Sequence, residues 1–79
     1  MTSPHFETVQ RLFSDILEIS ADLVTPTSTP DTLPGWDSVR QMNLILSMEG
    51  EFGIEFTEAE IESATTLPAI LSLLDARLS

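Results

Sequence analysis

Ser38 is the residue best placed for chemistry. It follows Asp37, just after the turn formers Pro34-Gly35, and opens an apolar-periodic run, so it stands at a helix N-terminus. Free backbone N–H groups and the helix dipole at such a place favour a phosphate. The same position also suits a plain cap or first-turn serine, and spacing leaves the two open. Nucleophilic catalysis by that hydroxyl needs a neighbouring base. His5 is the sole histidine, and near the start of the chain a solvated side chain is expected. Cys is absent, so there is no disulfide framework, no thiolate metal site and no protein thiol for chemistry. Glu55, Glu58, Glu60 and Glu62 offer carboxylates for acid–base work, yet read better as a solvated acidic face. No Asp-x-Asp-x-Asp-Gly loop is present, which leaves an EF-hand unsupported. No catalytic residue and no metal ligand set is assigned.

Charge narrows the partners. Thirteen Asp and Glu face three Arg and no Lys, for a net charge of −10. A chain this acidic repels a phosphate backbone and an anionic membrane surface alike. Its expected partners are proteins with basic docking patches. The apolar run Leu44-Ile45-Leu46 falls far short of the ~18–20 residues of a membrane span. The start Met1-Thr2-Ser3-Pro4-His5 lacks the features of a signal peptide. A cytoplasmic monomer is expected, folded as a single domain over residues 1–79.

The elements that must position Ser38 are helices. Ser3 as cap and Pro4 in the first turn start the first one, and Phe6, Val9, Phe13, Ile16 and Leu17 form its apolar stripe. It should fade near Ile19-Ser20. The stretch Ser20–Trp36 carries Pro26, Pro30, Pro34 and Gly35 and is a long connection, packed down by Leu23, Val24 and Leu33. A second helix runs from Asp37 or Ser38 to about Phe52, with Asp37 as N-cap and Gly53 as stop. After the extended link Ile54-Glu55-Phe56, Thr57-Glu58-Ala59-Glu60 fits a capping box and opens a short helix ending near Ser63. Thr66 caps the last helix, whose stripe is Leu67, Ile70, Leu71, Leu74 and Leu78. The fold class is all-α: a bundle of three longer helices and one short one, with a long first loop.

The second helix carries two apolar stripes where one would suffice. Leu44, Ile45, Met48 and Phe52 form the larger, and Val39, Met42 and Leu46 the smaller. Either both lie in the core, or the smaller faces out as a docking surface or borders a pocket. Phe56 and Ile61 are further candidates for lining a pocket.

The run Pro34-Gly35-Trp36-Asp37-Ser38-Val39, followed by Glu49-Gly50-Glu51-Phe52-Gly53-Ile54, resembles the acyl carrier protein family. That family's hallmark is Asp-Ser-Leu at the start of its second helix and Glu-Glu-Phe-Gly-Ile at its end. Thr57-Glu58-Ala59-Glu60 and Ala64-Thr65-Thr66-Leu67 are similar to the family's third helix and the start of its fourth. The resemblance implies a non-catalytic carrier with 4′-phosphopantetheine on Ser38 through a phosphodiester. A phosphopantetheinyl transferase would install it from coenzyme A with Mg²⁺. Acyl or aminoacyl cargo would ride on the group's terminal thiol as a thioester and pass between an activating ligase and acyl-transfer enzymes. Asp37, Val39, Met42, Leu46 and Glu49 match family docking positions. Arg40, Asn43 and Gly50 stand where fatty-acid carriers are typically acidic. Trp36 before Asp-Ser is similar to freestanding bacterial carriers of polyketide, aminoacyl or surface-glycan pathways. The alternative is an acidic helical adaptor that binds through Val39, Met42 and Leu46 without a prosthetic group.

Overall fold

The computed structural model describes residues 5–78, and the expected Ser3 cap and Pro4 lie outside them. Helix α1 spans Phe6–Leu17, α2 Ser38–Phe52, α3 Glu58–Ser63 and α4 Leu67–Leu78. No strand occurs among the described residues. The all-α bundle of three longer helices and a short one is therefore as expected. No described helix is long and apolar enough to cross a membrane.

Each stripe turns inward where periodicity placed it. Val9, Phe13 and Leu17 of α1 meet Leu44, Ile45 and Met48 of α2 and Leu67, Ile70, Leu71 and Leu74 of α4 in one core. Phe6, Ile16, Phe52 and Leu78 pack around its edge, partly exposed. Both short-range caps form as read. Thr57 Oγ1 accepts from the Glu60 N–H at 3.1 Å, and Glu60 Oε1 accepts from the Thr57 N–H at 2.8 Å. Thr66 Oγ1 accepts from the Ala69 N–H at 3.3 Å.

Helix α1 stops earlier than Ile19-Ser20 because the chain turns left-handed at Glu18 (φ 55°, ψ 48°). The Ile19 N–H then bonds back to the Ser14 carbonyl at 3.2 Å. A Cβ in that conformation costs about 1–2 kcal/mol, and a carboxylate at a helix C-terminus opposes the dipole. Glu18→Gly should raise stability by about 1 kcal/mol, or roughly 4–8 °C in a thermal melt. An unchanged or lower melting temperature would contradict this.

The connection before α2 is ordered by its own hydrogen bonds. Gln10 Nε2 donates to the Ala21 and Val24 carbonyls at 2.8 and 3.1 Å. Ser28 is buried; its hydroxyl accepts from the Thr25 N–H at 2.8 Å, and its carbonyl accepts from the Leu67 N–H at 2.9 Å. Val24 and Leu33 are buried as expected, but Leu23 is 53% exposed. It ends a 3₁₀ turn, Ala21–Leu23, and the chain brings Val24 inward in its stead. Trp36, at the end of the connection, is buried in the core, its ring edge-on to Phe13 with centroids 4.8 Å apart.

Ion pairs clip the helices together at the periphery. Arg11 meets Glu51 at 2.9 Å, joining α1 to α2. Arg77 donates to Glu60 Oε1 at 2.7 Å and to the Glu55 carbonyl at 2.8 Å, joining α4 to α3 and its preceding link. The Thr57 N–H, assisted by Arg77 and opposed by desolvation, holds the Glu60 carboxyl below its ordinary value of 4.5. A carboxyl with a lowered folded-state pKa contributes stability that is fully present above its unfolded-state pKa. That contribution is lost as pH falls through the folded value. Glu60→Gln should therefore lower the urea midpoint at neutral pH, with the gap from wild type closing as pH falls below about 4. A gap that is constant with pH would contradict the assignment.

Candidate functional site

The site begins with a turn that only glycine suits. Gly35 has φ +84°, and a Cβ there would come within 3.0 Å of Arg40 Nη1. Its carbonyl accepts from the Asp37 N–H at 3.0 Å and from Arg40 Nη1 at 3.2 Å. The backbone is extended at Asp37, whose Oδ1 accepts from the Arg40 N–H at 2.9 Å. Asp37 is thus the N-cap of α2, as read from the sequence. Ser38 is the first helical residue, exposed, with no capping duty.

Ser38 stands on the rim of a cleft of about 370 Å³. Pro30 and Trp36 reach it from the connection, Gln41 from α2, Ile61 and Glu62 from α3, and Thr65 from the link to α4. Ile61 is where a pocket-lining role was anticipated. Phe56 is not: it is buried in the core and does not line the cleft.

Gln41 is the site residue that sequence reasoning missed. Its Oε1 accepts from Trp36 Nε1 at 2.6 Å, and its Nε2 donates to the Ala64 carbonyl at 2.6 Å. The available signal was its place on the helix, at about 300° from Ser38, inside the arc of Leu44, Met48 and Phe52. A polar residue within a core arc has to find partners.

The smaller stripe of α2 faces solvent. Val39 is 70%, Met42 48% and Leu46 57% exposed, so the reading that placed both stripes in the core is set aside. Glu49, on the same helix, is half-buried, and its Oε2 accepts from the Phe56 N–H at 2.8 Å, fixing the link after α2.

His5 supplies no base to Ser38. His5 is not solvated as expected: its side chain is 22% exposed and its ring stands edge-on to Phe52 at 5.5 Å. Phe52 ends α2, so along the helix axis His5 is about 20 Å from Ser38. An exposed hydroxyl at a helix N-terminus beside an open cleft fits the anchor of a phosphodiester.

Comparison with known proteins points the same way. The family profile described as “Phosphopantetheine attachment site” matches residues 7–74. An acyl carrier protein of Petrotoga mobilis is 32% identical over 75 residues, covering 94% of this chain and 87% of that one. An acyl carrier protein of Thermotoga maritima is 27% identical over 73 residues, covering 92% and 90%. These matches favour the carrier over an acidic adaptor without a prosthetic group. The chain belongs to the acyl carrier protein family, and its covalent cofactor is 4′-phosphopantetheine.

Proposed function

We propose that Ser38 is the attachment residue, and that the chain acts as a non-catalytic carrier and as substrate of a phosphopantetheinyl transferase. The observation that carries this is the division of labour at the start of α2. Asp37 supplies the cap, and the Ser38 hydroxyl stays outside, exposed and without a capping duty. The chain contributes an accessible oxygen on a rigid helix end, and the α2 N-terminal N–H groups favour the phosphodiester's negative charge. When bound, the group supplies the thiol that this Cys-free chain lacks.

Activating ligases and acyl-transfer enzymes are the further partners, reached from one carrier domain over residues 1–79 acting as a cytoplasmic monomer. They dock on α2, where exposed Val39, Met42 and Leu46 supply apolar contact. Asp37 and the Glu49 carboxylate, whose Oε2 also holds the Phe56 N–H, supply negative charge. Nucleic acid and membrane are not partners of so acidic a surface.

Incubation with coenzyme A, Mg²⁺ and a broad-specificity transferase should add one phosphopantetheinyl group by intact mass. A wild-type chain left unmodified by several such transferases overturns the assignment. Met42→Glu tests the docking face. It should leave the melting temperature near wild type and lower the transferase's kcat/KM by about tenfold, the effect of one ordinary interface anchor. Unchanged kinetics would move the docking face elsewhere.

A further inference from the structure

Two side chains close the cleft beside Ser38 from behind. Trp36 is buried, with one side in the cleft and its ring edge-on to the fully buried Phe13 of α1. Gln41 braces it. From α2, its amide accepts the indole N–H and donates to the carbonyl of Ala64, the buried residue at which α3 ends. One side chain thus ties three segments together: the end of the long connection, α2 and the end of α3. A primary amide does this with no charge, because it carries an acceptor and two donors on one planar group. Among the described residues no buried side-chain polar atom lacks a partner. Opening this junction would break both hydrogen bonds and lift the indole off Phe13, and each of these losses is unfavourable.

We infer that Gln41 is a latch that shuts the hydrophobic interior behind the attachment point, so that this carrier takes short cargo held outside the core. The inference rests on Ser38 being the attachment residue. The space on the near side of the latch is modest. Its 370 Å³ lies near the small end of the ~300–1,000 Å³ typical of ligand pockets, and its surface is mostly apolar, with Pro30, Trp36 and Ile61 among its lining. Trp36 stands on Phe13, which shares one core with Leu44 and Ile45, and all three are essentially without exposure. A long aliphatic chain would enter only by lifting Trp36 off Phe13 and breaking both amide hydrogen bonds.

The test has two arms. The first uses the unloaded chain, in which Trp36 is the sole tryptophan and its fluorescence reports on the latch. Wild type should emit at short wavelength and resist acrylamide. Gln41→Met, which keeps the side-chain length and loses both hydrogen bonds, should shift the emission to the red and raise quenching several-fold, with helical circular dichroism retained. Gln41→Glu, at neutral pH, keeps an acceptor for the indole and has no donor for Ala64. It should leave Trp36 protected while the α3 amides exchange hydrogen faster, and it decides the matter should Gln41→Met not fold. Wild-type quenching in Gln41→Met, or wild-type α3 exchange in Gln41→Glu, overturns the latch.

The second arm loads acetyl, butyryl and octanoyl groups from their coenzyme A thioesters. The wild-type melting temperature should stay flat along the series. That of Gln41→Met should climb by up to roughly 3–6 °C per methylene buried. A wild-type melting temperature that climbs with chain length overturns the closure. A chain that gains no mass in this arm overturns the attachment residue instead, and the fluorescence arm still decides the latch.

Discussion

Ser38→Ala should gain no phosphopantetheinyl mass under conditions that modify the wild-type chain completely, and should melt at the wild-type temperature. Both halves follow from the geometry at the start of α2. The hydroxyl is the only group that the substitution removes, and as an exposed first-turn group it takes no part in the cap, whose acceptor is Asp37 Oδ1. Alanine is the best helix former, and an exposed substitution of this kind shifts stability by no more than about 0.5 kcal/mol. Asp37→Ala should show the opposite pattern. Loss of the cap costs about 0.5–2 kcal/mol, which a thermal melt registers as a fall of several degrees, whereas the Ser38 oxygen remains available and loading still reaches completion, more slowly for want of one docking charge. Intact mass and a thermal melt on the two variants separate attachment from capping. A modified Ser38→Ala chain would move the anchor to another hydroxyl, and a destabilised one would show that Ser38 has a structural role.

The parts of this site that were legible in the sequence are those fixed within one helical turn. Asp37 as cap, Gly53 as stop and the Thr57–Glu60 box depend on neighbours three or four residues away, and residue type at that spacing almost decides them. The two stripes of α2 were legible as geometry, but which of them faced solvent was not. That depends on where α1 and α4 deliver Phe13 and Leu74, and periodicity on one helix carries no such information. The left-handed turn at Glu18 escaped notice because a glutamate does not advertise it. Leu23 and Val24 are both apolar neighbours in a stretch without periodicity, so nothing local says which one turns inward. The Gln41 bridge joins residues five and twenty-three positions away. Each partner looks ordinary alone: a loop tryptophan, a helix glutamine and a backbone carbonyl. Only the packed bundle brings them to one point.

Phe13→Ala should remove a large share of the protein's stability, and it tests whether the Trp36 side of the cleft leans on α1. Phe13 has no exposed surface and is the ring against which Trp36 stands, at 4.8 Å and 87°. Truncating a buried phenylalanine to alanine costs about 3–5 kcal/mol once the residual cavity is included. An edge-to-face aromatic pair contributes about 0.5–1.5 kcal/mol beyond area burial. A chain of 79 residues has roughly 4–12 kcal/mol in all. At the lower end of that range the variant is near its unfolding midpoint at 25 °C, and at the upper end its urea midpoint falls by about a quarter to two-fifths with the slope unchanged. Phe13→Leu keeps apolar volume but removes the ring, so it isolates the aromatic contact. It should fold, unfold at a lower midpoint than wild type, and show Trp36 emission shifted to the red, because the indole has lost its partner while its bond to Gln41 remains. Leucine leaving both the midpoint and the emission at their wild-type values would mean that Trp36 is held by Gln41 alone, and that α1 does not support the floor of the cleft.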